Sequence, residues 1–364
     1  MGLNRAIHQI APAFPYGDAI GNQMFRIRQL LRQWGIESQV YIQYPPDPRM
    51  ADPGQHYTDY PSSADNILIY HYSTLSPLTE FVLQLPDTVI VYYHNVTPAW
   101  FFAPYDPAFA AMLEQGRRDV ALFKDHPLAW AASEYNRQEM LALGFTDVDV
   151  VALFLYHDEL LAAADAPAGQ EIAARYRDGW VNLLFVGRLA PNKCQDDLVR
   201  SFAYYHQRVN PNSRLFLVGS DGGLPAYRLK LEVMIDSFDL SHVYLPGSVS
   251  LEQLGGYYGA ATLFLCLSEH EGFGIPLVEA MAFDLPVLAF KAAAIPHTLG
   301  DAGVLIRHKR YDVIGELVDL VAHDEVLRQQ IVRKQRERLA ELGPQQAGVS
   351  LRQALRRLGV PLRV

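Results

Sequence analysis

The chain has 364 residues, half of them hydrophobic, with 31 basic against 40 acidic side chains and a formal net charge of −9. That length exceeds one ordinary core and predicts two domains. The negative balance argues against a nucleic-acid partner held by bulk electrostatics.

Short apolar runs alternate with helical patterns along the chain, the signature of parallel strands joined by right-handed crossovers. In the first half the runs at 6–10, 39–42, 66–72, 88–93, 129–133 and 148–153 predict strands. The pattern restarts at 181–186 and continues at 215–218, 243–245, 262–267, 287–290 and 304–306. The expected fold is α/β: two Rossmann-like parallel-sheet domains in series, facing a central cleft, because ligands of open sheets bind beyond the carboxyl ends of the strands. The small residues Ala162-Ala163-Ala164-Asp165-Ala166-Pro167-Ala168-Gly169 read as the hinge. The expected domains are therefore 1–168 and 169–345, with a terminal segment 346–364 that crosses back as a helix around 351–358.

The first domain offers two stretches of interest. Gly17-Asp18-Ala19-Ile20-Gly21-Asn22 precedes a helical pattern, so its N–H groups can face an anion. Tyr92-Tyr93-His94-Asn95 ends an apolar strand on polar groups, although a lone histidine there is more often structural. Ser133-Glu134-Tyr135-Asn136-Arg137 reads first as a helix cap. Asp147-Val148-Asp149 has the spacing of a metal-binding acid pair but leads into an apolar strand, and reads as solvated turn residues.

The second domain opens with Gly187-Arg188-Leu189-Ala190-Pro191-Asn192-Lys193 directly after its first strand. Arg188 and Lys193 can neutralise a diphosphate, one by a planar fork and one as a point charge. Further on, Ser268-Glu269-His270-Glu271-Gly272-Phe273-Gly274-Ile275-Pro276-Leu277-Val278-Glu279 follows an apolar run. Strand, glycine loop and helix start form an anion cradle, with Pro276 in the first helical turn. Glu271 and Glu279 beside a phosphate site fit the reading of hydroxyls, since carboxylates accept from the ribose and sugar of a nucleotide sugar.

The two cysteines, Cys194 and Cys266, lie far apart without metal-ligand spacing, which suits reduced thiols. No apolar run reaches the roughly 18 residues of a membrane span, and Met1-Gly2-Leu3-Asn4-Arg5 lacks a signal-peptide core, so a soluble, cytoplasmic protein is expected. Arg26, Arg28 and Arg32, and the set Arg328, Arg333, Lys334, Arg336 and Arg338, are read as solvated faces; peripheral contact with an anionic inner membrane surface is the alternative.

These motifs resemble glycosyltransferase family 4, retaining enzymes of the two-domain type called GT-B. The resemblance rests on Glu271 and Glu279 with seven residues between them, and on the Gly187, Arg188 and Lys193 loop. It continues in Leu217-Val218-Gly219-Ser220, Val243 to Ser250 and Leu299 to Leu305, across the second domain. A departure is His297, where relatives often carry a glutamate. The resemblance implies transfer of a sugar with retention from a UDP-, GDP- or ADP-sugar to a sugar or lipid-linked glycan acceptor, in polysaccharide or cell-envelope synthesis, without metal or cofactor. It assigns catalysis to His94, Glu271, Arg188 and Lys193. Donor binding falls to Gly17, Asp18, Gly187, Arg188, Lys193, Gly247, Val249, Glu271, Gly272, Phe273, Gly274, Ile275 and Glu279. A phosphorylase or epimerase, or a non-catalytic sugar-nucleotide scaffold or sensor, shares these features. Dinucleotide oxidoreduction is disfavoured, since neither half carries a Gly-x-Gly-x-x-Gly turn after its first strand. Base, sugar, acceptor and oligomeric state are not encoded in any motif.

Overall fold

Near-continuous runs of Val, Ile and Leu leave no polar face, so the strands they form must be covered on both sides, as in parallel sheets. The computed structural model, which describes residues 5–15, 18–126, 128–155 and 157–360, contains two such sheets, one in each of two units.

The first unit comprises Met1–Trp100, Ala108–Leu155 and Leu342–Val364. Its strands are β1 (Ile7–Ala11), β2 (Val40–Ile42), β3 (Gln55–His56), β4 (Ile67–Tyr72), β5 (Thr88–Tyr93), β6 (Ala129–Ala131) and β7 (Val148–Val150). They pair in parallel in the order β3-β2-β1-β4-β5-β6-β7. β1 and β4 are buried along their whole length, and the core around them is aromatic, with Tyr70, Tyr72, Tyr92, Tyr93, Phe123 and Trp130 fully enclosed.

The second unit comprises Phe101–Pro107 and Tyr156–Glu341. Its strands are β8 (Val181–Val186), β9 (Ser213–Val218), β10 (Val243–Gly247), β11 (Leu263–Cys266), β12 (Val287–Phe290) and β13 (Val304–Ile306). They too pair in parallel, in the order β10-β9-β8-β11-β12-β13. Both units are thus Rossmann-like. Chain direction across the sheet reverses between β1 and β4 in the first unit and between β8 and β11 in the second, and at such switch points the loops after the strands splay apart and leave a crevice.

All the strands expected from the sequence are present, and one more, β3, was not foreseen. Its two residues are exposed and pair only at the sheet edge, Tyr41 with Gln55 and Ile42 with His56, so no burial pattern marks it. The expected hinge at 162–169 is instead the junction of two helices, His157–Ala164 and Pro167–Tyr176, inside the second unit. The unit boundary falls at residues 155 and 156. Small residues stand at the junction because the helix Leu251–Ala260 crosses it closely. A Cβ on Gly255 would come within 2.8 Å of the Ala164 Cβ, and one on Gly256 within 2.5 Å of the Gly169 carbonyl oxygen.

The terminal helix Pro344–Arg357 packs within the first unit. The amide of Ala152 donates to Ser350 Oγ at 3.0 Å, and the Arg352 guanidinium lies 4.8 Å from the Trp34 ring centroid. Arg357 reaches Asp147 at 2.7 Å and also pairs with Asp149, so these two acids are an anchor for the helix rather than solvated turn residues. Among the described residues no helix is long and apolar enough to cross a membrane.

Candidate active site

The carboxyl ends of β8, β9 and β10 are tied edge to edge through bare backbone. Gly187 N donates to Val218 O at 2.9 Å, Gly219 N to Gly247 O at 3.0 Å, and Leu189 N to Ser220 O at 2.8 Å. A Cβ on Gly219 would stand 2.3 Å from the Gly187 carbonyl oxygen, so only glycine fits there. Gly247, in contrast, faces open space. Val249 turns its side chain into the core, which leaves its backbone as the group it can offer a ligand.

From this shelf the loop after β8 carries the two expected cations. Arg188 is exposed and its stem lies over the backbone of Gly222. Gln195 Nε2 holds the Arg188 carbonyl at 3.0 Å, pinning the loop to the helix Gln195–Tyr204. Lys193 closes a short 3₁₀ turn, Pro191–Lys193, and points the other way, across the switch point. Its Nζ meets Glu271 Oε2 at 2.5 Å, with the two side chains 22 % and 11 % exposed.

That meeting is fixed by Asn192, a residue the motif reading passed over. Its carbonyl accepts from Glu269 N at 2.9 Å and His270 N at 3.3 Å, and its Nδ2 donates to His270 O at 3.0 Å. The loop after β8 is therefore hydrogen-bonded along the loop after β11. The Glu271 carbonyl also accepts from Ala294 N at 3.2 Å.

Gly274 then turns the chain at φ +90° into the helix Ile275–Ala282, with Pro276 in its first turn. A Cβ at Gly274 would be strained by that φ and would come within 2.9 Å of Leu277 Cδ1. No side chain caps this helix, so Gly272, Phe273, Gly274 and Ile275 present main chain where the helix dipole favours negative charge. Thr298 Oγ1 donates to the Phe273 carbonyl and steadies the loop. Neighbouring His297 is exposed, with its carbonyl held by Arg338 Nη2 at 2.6 Å.

Glu279 sits one turn into this helix and accepts from the Tyr258 hydroxyl at 2.7 Å. Burial raises its carboxyl above the usual range, while the tyrosine hydrogen bond acts in the opposite direction. Tyr258 was also missed, since nothing in its local sequence marks it as a carboxylate partner.

A cluster of Cys194, Asp197 and Glu269 has ligand atoms within 4.8 Å of one another, but an internal cation fills it. Lys309 Nζ lies 2.7 Å from Asp197 Oδ2 and 2.8 Å from Glu269 Oε1. Burial pushes the Cys194 thiol up to about 12, so it stays protonated at neutral pH.

In the first unit Asp18 caps the helix Ala19–Gln33, its Oδ2 accepting from Ile20 N at 3.0 Å and Gly21 N at 3.2 Å. The donors expected to face an anion are thus already engaged by a carboxylate. Gly17 lies outside the described residues. Ser133 caps the helix Glu134–Ala142 in the same way, accepting from Asn136 N at 3.1 Å. His94 follows β5, with Nε2 2.9 Å from His71 Nδ1 on β4. The basic stretches read as solvated faces hold internal partners: Arg28 and Arg32 pair with Asp52, Lys334 with Asp301, Arg336 with Asp284 and Arg338 with Glu341.

Residues 177–338, within the second unit, match the family described as glycosyl transferases group 1. A D-inositol 3-phosphate glycosyltransferase of Nocardiopsis dassonvillei is 31% identical over 174 residues, which are 45% of this chain and 38% of that protein. A GDP-mannose-dependent alpha-(1-6)-phosphatidylinositol monomannoside mannosyltransferase of Mycolicibacterium smegmatis is 27% identical over 266 residues, 63% of this chain and 68% of that protein. The match thus spans well under half of the first relative and about two thirds of the second. Among solved structures, sucrose-phosphate synthase from Thermosynechococcus elongatus superposes with a TM-score of 0.71 at 18% identity, covering 97% of this chain and 99% of that one. The fold is of the two-domain GT-B type, and within it residues 177–338 are similar to glycosyl transferases group 1.

Proposed function

We propose that this protein is a retaining glycosyltransferase of family 4 that moves a sugar from a nucleoside-diphosphate sugar to an acceptor hydroxyl. The observation that carries the reading is the Lys193–Glu271 pair, held by Asn192 at the switch point of the second sheet beside an uncapped helix start.

Cleaving the anomeric bond leaves charge on the diphosphate. Arg188, Lys193 and the N–H groups from Gly272 to Ile275 stabilise that charge as it forms, a term that grows toward the transition state and so accelerates the step. These cations take the part a divalent metal would otherwise play. In the structure Lys193 is paired with Glu271. On donor binding Lys193 turns to phosphate, which frees the Glu271 carboxylate to accept from hydroxyls of the transferred sugar. Glu279 accepts from the ribose, with Tyr258 fixing its rotamer. The base meets backbone at Gly247 and Val249, and His94 supports the sugar. No side-chain nucleophile is assigned: the acceptor attacks from the face that the leaving phosphate vacates, and a phosphate oxygen takes its proton.

The donor is a UDP-, GDP- or ADP-sugar and the acceptor a sugar or lipid-linked glycan, a choice that the lipid-directed relative supports. Peripheral attachment at the inner membrane face fits such an acceptor. Folded Lys193→Ala and Glu279→Ala proteins are expected to turn over donor about a hundredfold more slowly or worse. Near-normal rates in both would overturn the assignment.

A further inference from the structure

Two neighbouring strands of the first sheet and the loop after a third place polar side chains in a row, two of them inside an apolar core. Gln9 on β1 and His71 on β4 are buried at 0% and 1% exposure, and His94 follows β5. β1 pairs with β4 and β4 with β5, so the row crosses the sheet at its switch point. Such groups are tolerated only if hydrogen-bonded, and the bonds here have one consistent direction.

The Gln9 Nε2 donates to the Met24 carbonyl at 3.0 Å. A carbonyl only accepts, so the amide cannot be reversed without setting two oxygens against each other. Gln9 Oε1 therefore faces His71 Nε2 at 3.0 Å, and that nitrogen must carry the proton. A neutral His71 then has a lone pair on Nδ1. The ring nitrogen opposite, His94 Nε2 at 2.9 Å, must donate to it. Nδ1 of His94 is left as an acceptor, with no hydrogen-bond partner among the described residues. Burial pushes His94 down to about 3 and His71 well below its ordinary value, which keeps both rings neutral.

We infer that Gln9 and His71 are positioning residues that hold His94 as the tautomer protonated on Nε2, so that Nδ1 accepts a hydrogen bond from a hydroxyl of the transferred sugar. The role of the hydroxyl rests on the transferase reading above; the tautomer does not. Neither Gln9 nor His71 touches substrate. Their effect passes through the orientation and protonation of one ring, as when an outer partner fixes a ligand histidine.

The test is nitrogen-15 NMR of histidine-labelled full-length protein, with the His94 signals assigned by loss in His94→Gln. The expected spectrum has an unprotonated His94 Nδ1 and a protonated Nε2. A His94 ring protonated on Nδ1, or a mixture of tautomers, overturns the inference. In Gln9→Leu and His71→Leu the ring should become a mixture, while His71→Asn, whose amide oxygen replaces the Nδ1 acceptor, should restore the single form. An unchanged single tautomer in both leucine variants also overturns it. Turnover of UDP-glucose, GDP-mannose and ADP-glucose supplies the second readout. His71→Leu should lower kcat for the active donor by about tenfold, one charge-free hydrogen bond's worth, leave affinity for the bare nucleoside diphosphate unchanged, and be rescued by His71→Asn. Equal losses in His71→Leu and His71→Asn would mark a merely structural role. If no donor turns over or binds in the native protein, the transferase reading falls, and the spectrum alone still decides the relay.

Discussion

At the scale of single residues, Asn192 joins the two loops that carry the proposed chemistry. Asn192→Ala removes the bond to His270 O and leaves that carbonyl to find another donor, which should cost about 1–3 kcal/mol in urea unfolding. Because one of the three bonds that join the loops carrying Lys193 and Glu271 would be lost, donor turnover should fall further than stability does. Gly274→Ala combines a φ of +90° with a 2.9 Å clash at Leu277, and should destabilise by about 1–3 kcal/mol and weaken nucleoside diphosphate binding. The paired histidines add a pH dependence. His71 and His94 titrate below their ordinary value when folded, so the unfolded chain binds protons that the native chain refuses. Their contribution is fully present above about pH 6.5, the value for an unfolded histidine, and is lost as pH falls from there toward the depressed native values. Denaturation midpoints measured from pH 7 to pH 4 should drop less steeply in His94→Gln than in the native protein.

At the scale of elements, the acidic pair Asp147 and Asp149 acquires meaning only when the last helix returns to the first unit. Arg357 spans both, yet all three side chains are partly exposed, and such pairs contribute about 0–1 kcal/mol. Arg357→Ala should therefore leave the global midpoint nearly unchanged while amide exchange quickens along Pro344–Arg357; unaltered exchange there would deny the anchoring role. The same element scale explains what was legible beforehand. Buried parallel strands announce themselves by composition, so their positions and the loops after β8 and β11 followed from the chain. The junction at 162–169 did not, because Ala, Gly and Pro serve both flexible linkers and helices packed at close range. Asn192, Tyr258, Gln9 and His71 escaped notice for a related reason. Each acts through a partner tens of residues away in sequence, and only sheet order brings the two together.

At the scale of the whole molecule, two sheets of like construction carry unlike side chains at their switch points. The second unit gathers cations, an uncapped helix start and two carboxylates at its reversal point, whereas the first places a neutral, oriented histidine at its own. On the proposed reading, charge is concentrated where a leaving diphosphate would need it, and the histidine of the first unit is left uncharged. The cations need not be numerous, since a protein of net charge −9 focuses its attraction for an anion through position rather than bulk. The most direct measurement is calorimetric titration of UDP, GDP and ADP into the native protein and into folded Arg188→Ala and Lys193→Ala variants. One of the three nucleotides should bind the native protein, and each substitution should weaken it by about tenfold or more, as expected for losing a charge-assisted hydrogen bond. Binding that is absent from the native protein, or equally strong in both variants, would contradict the account.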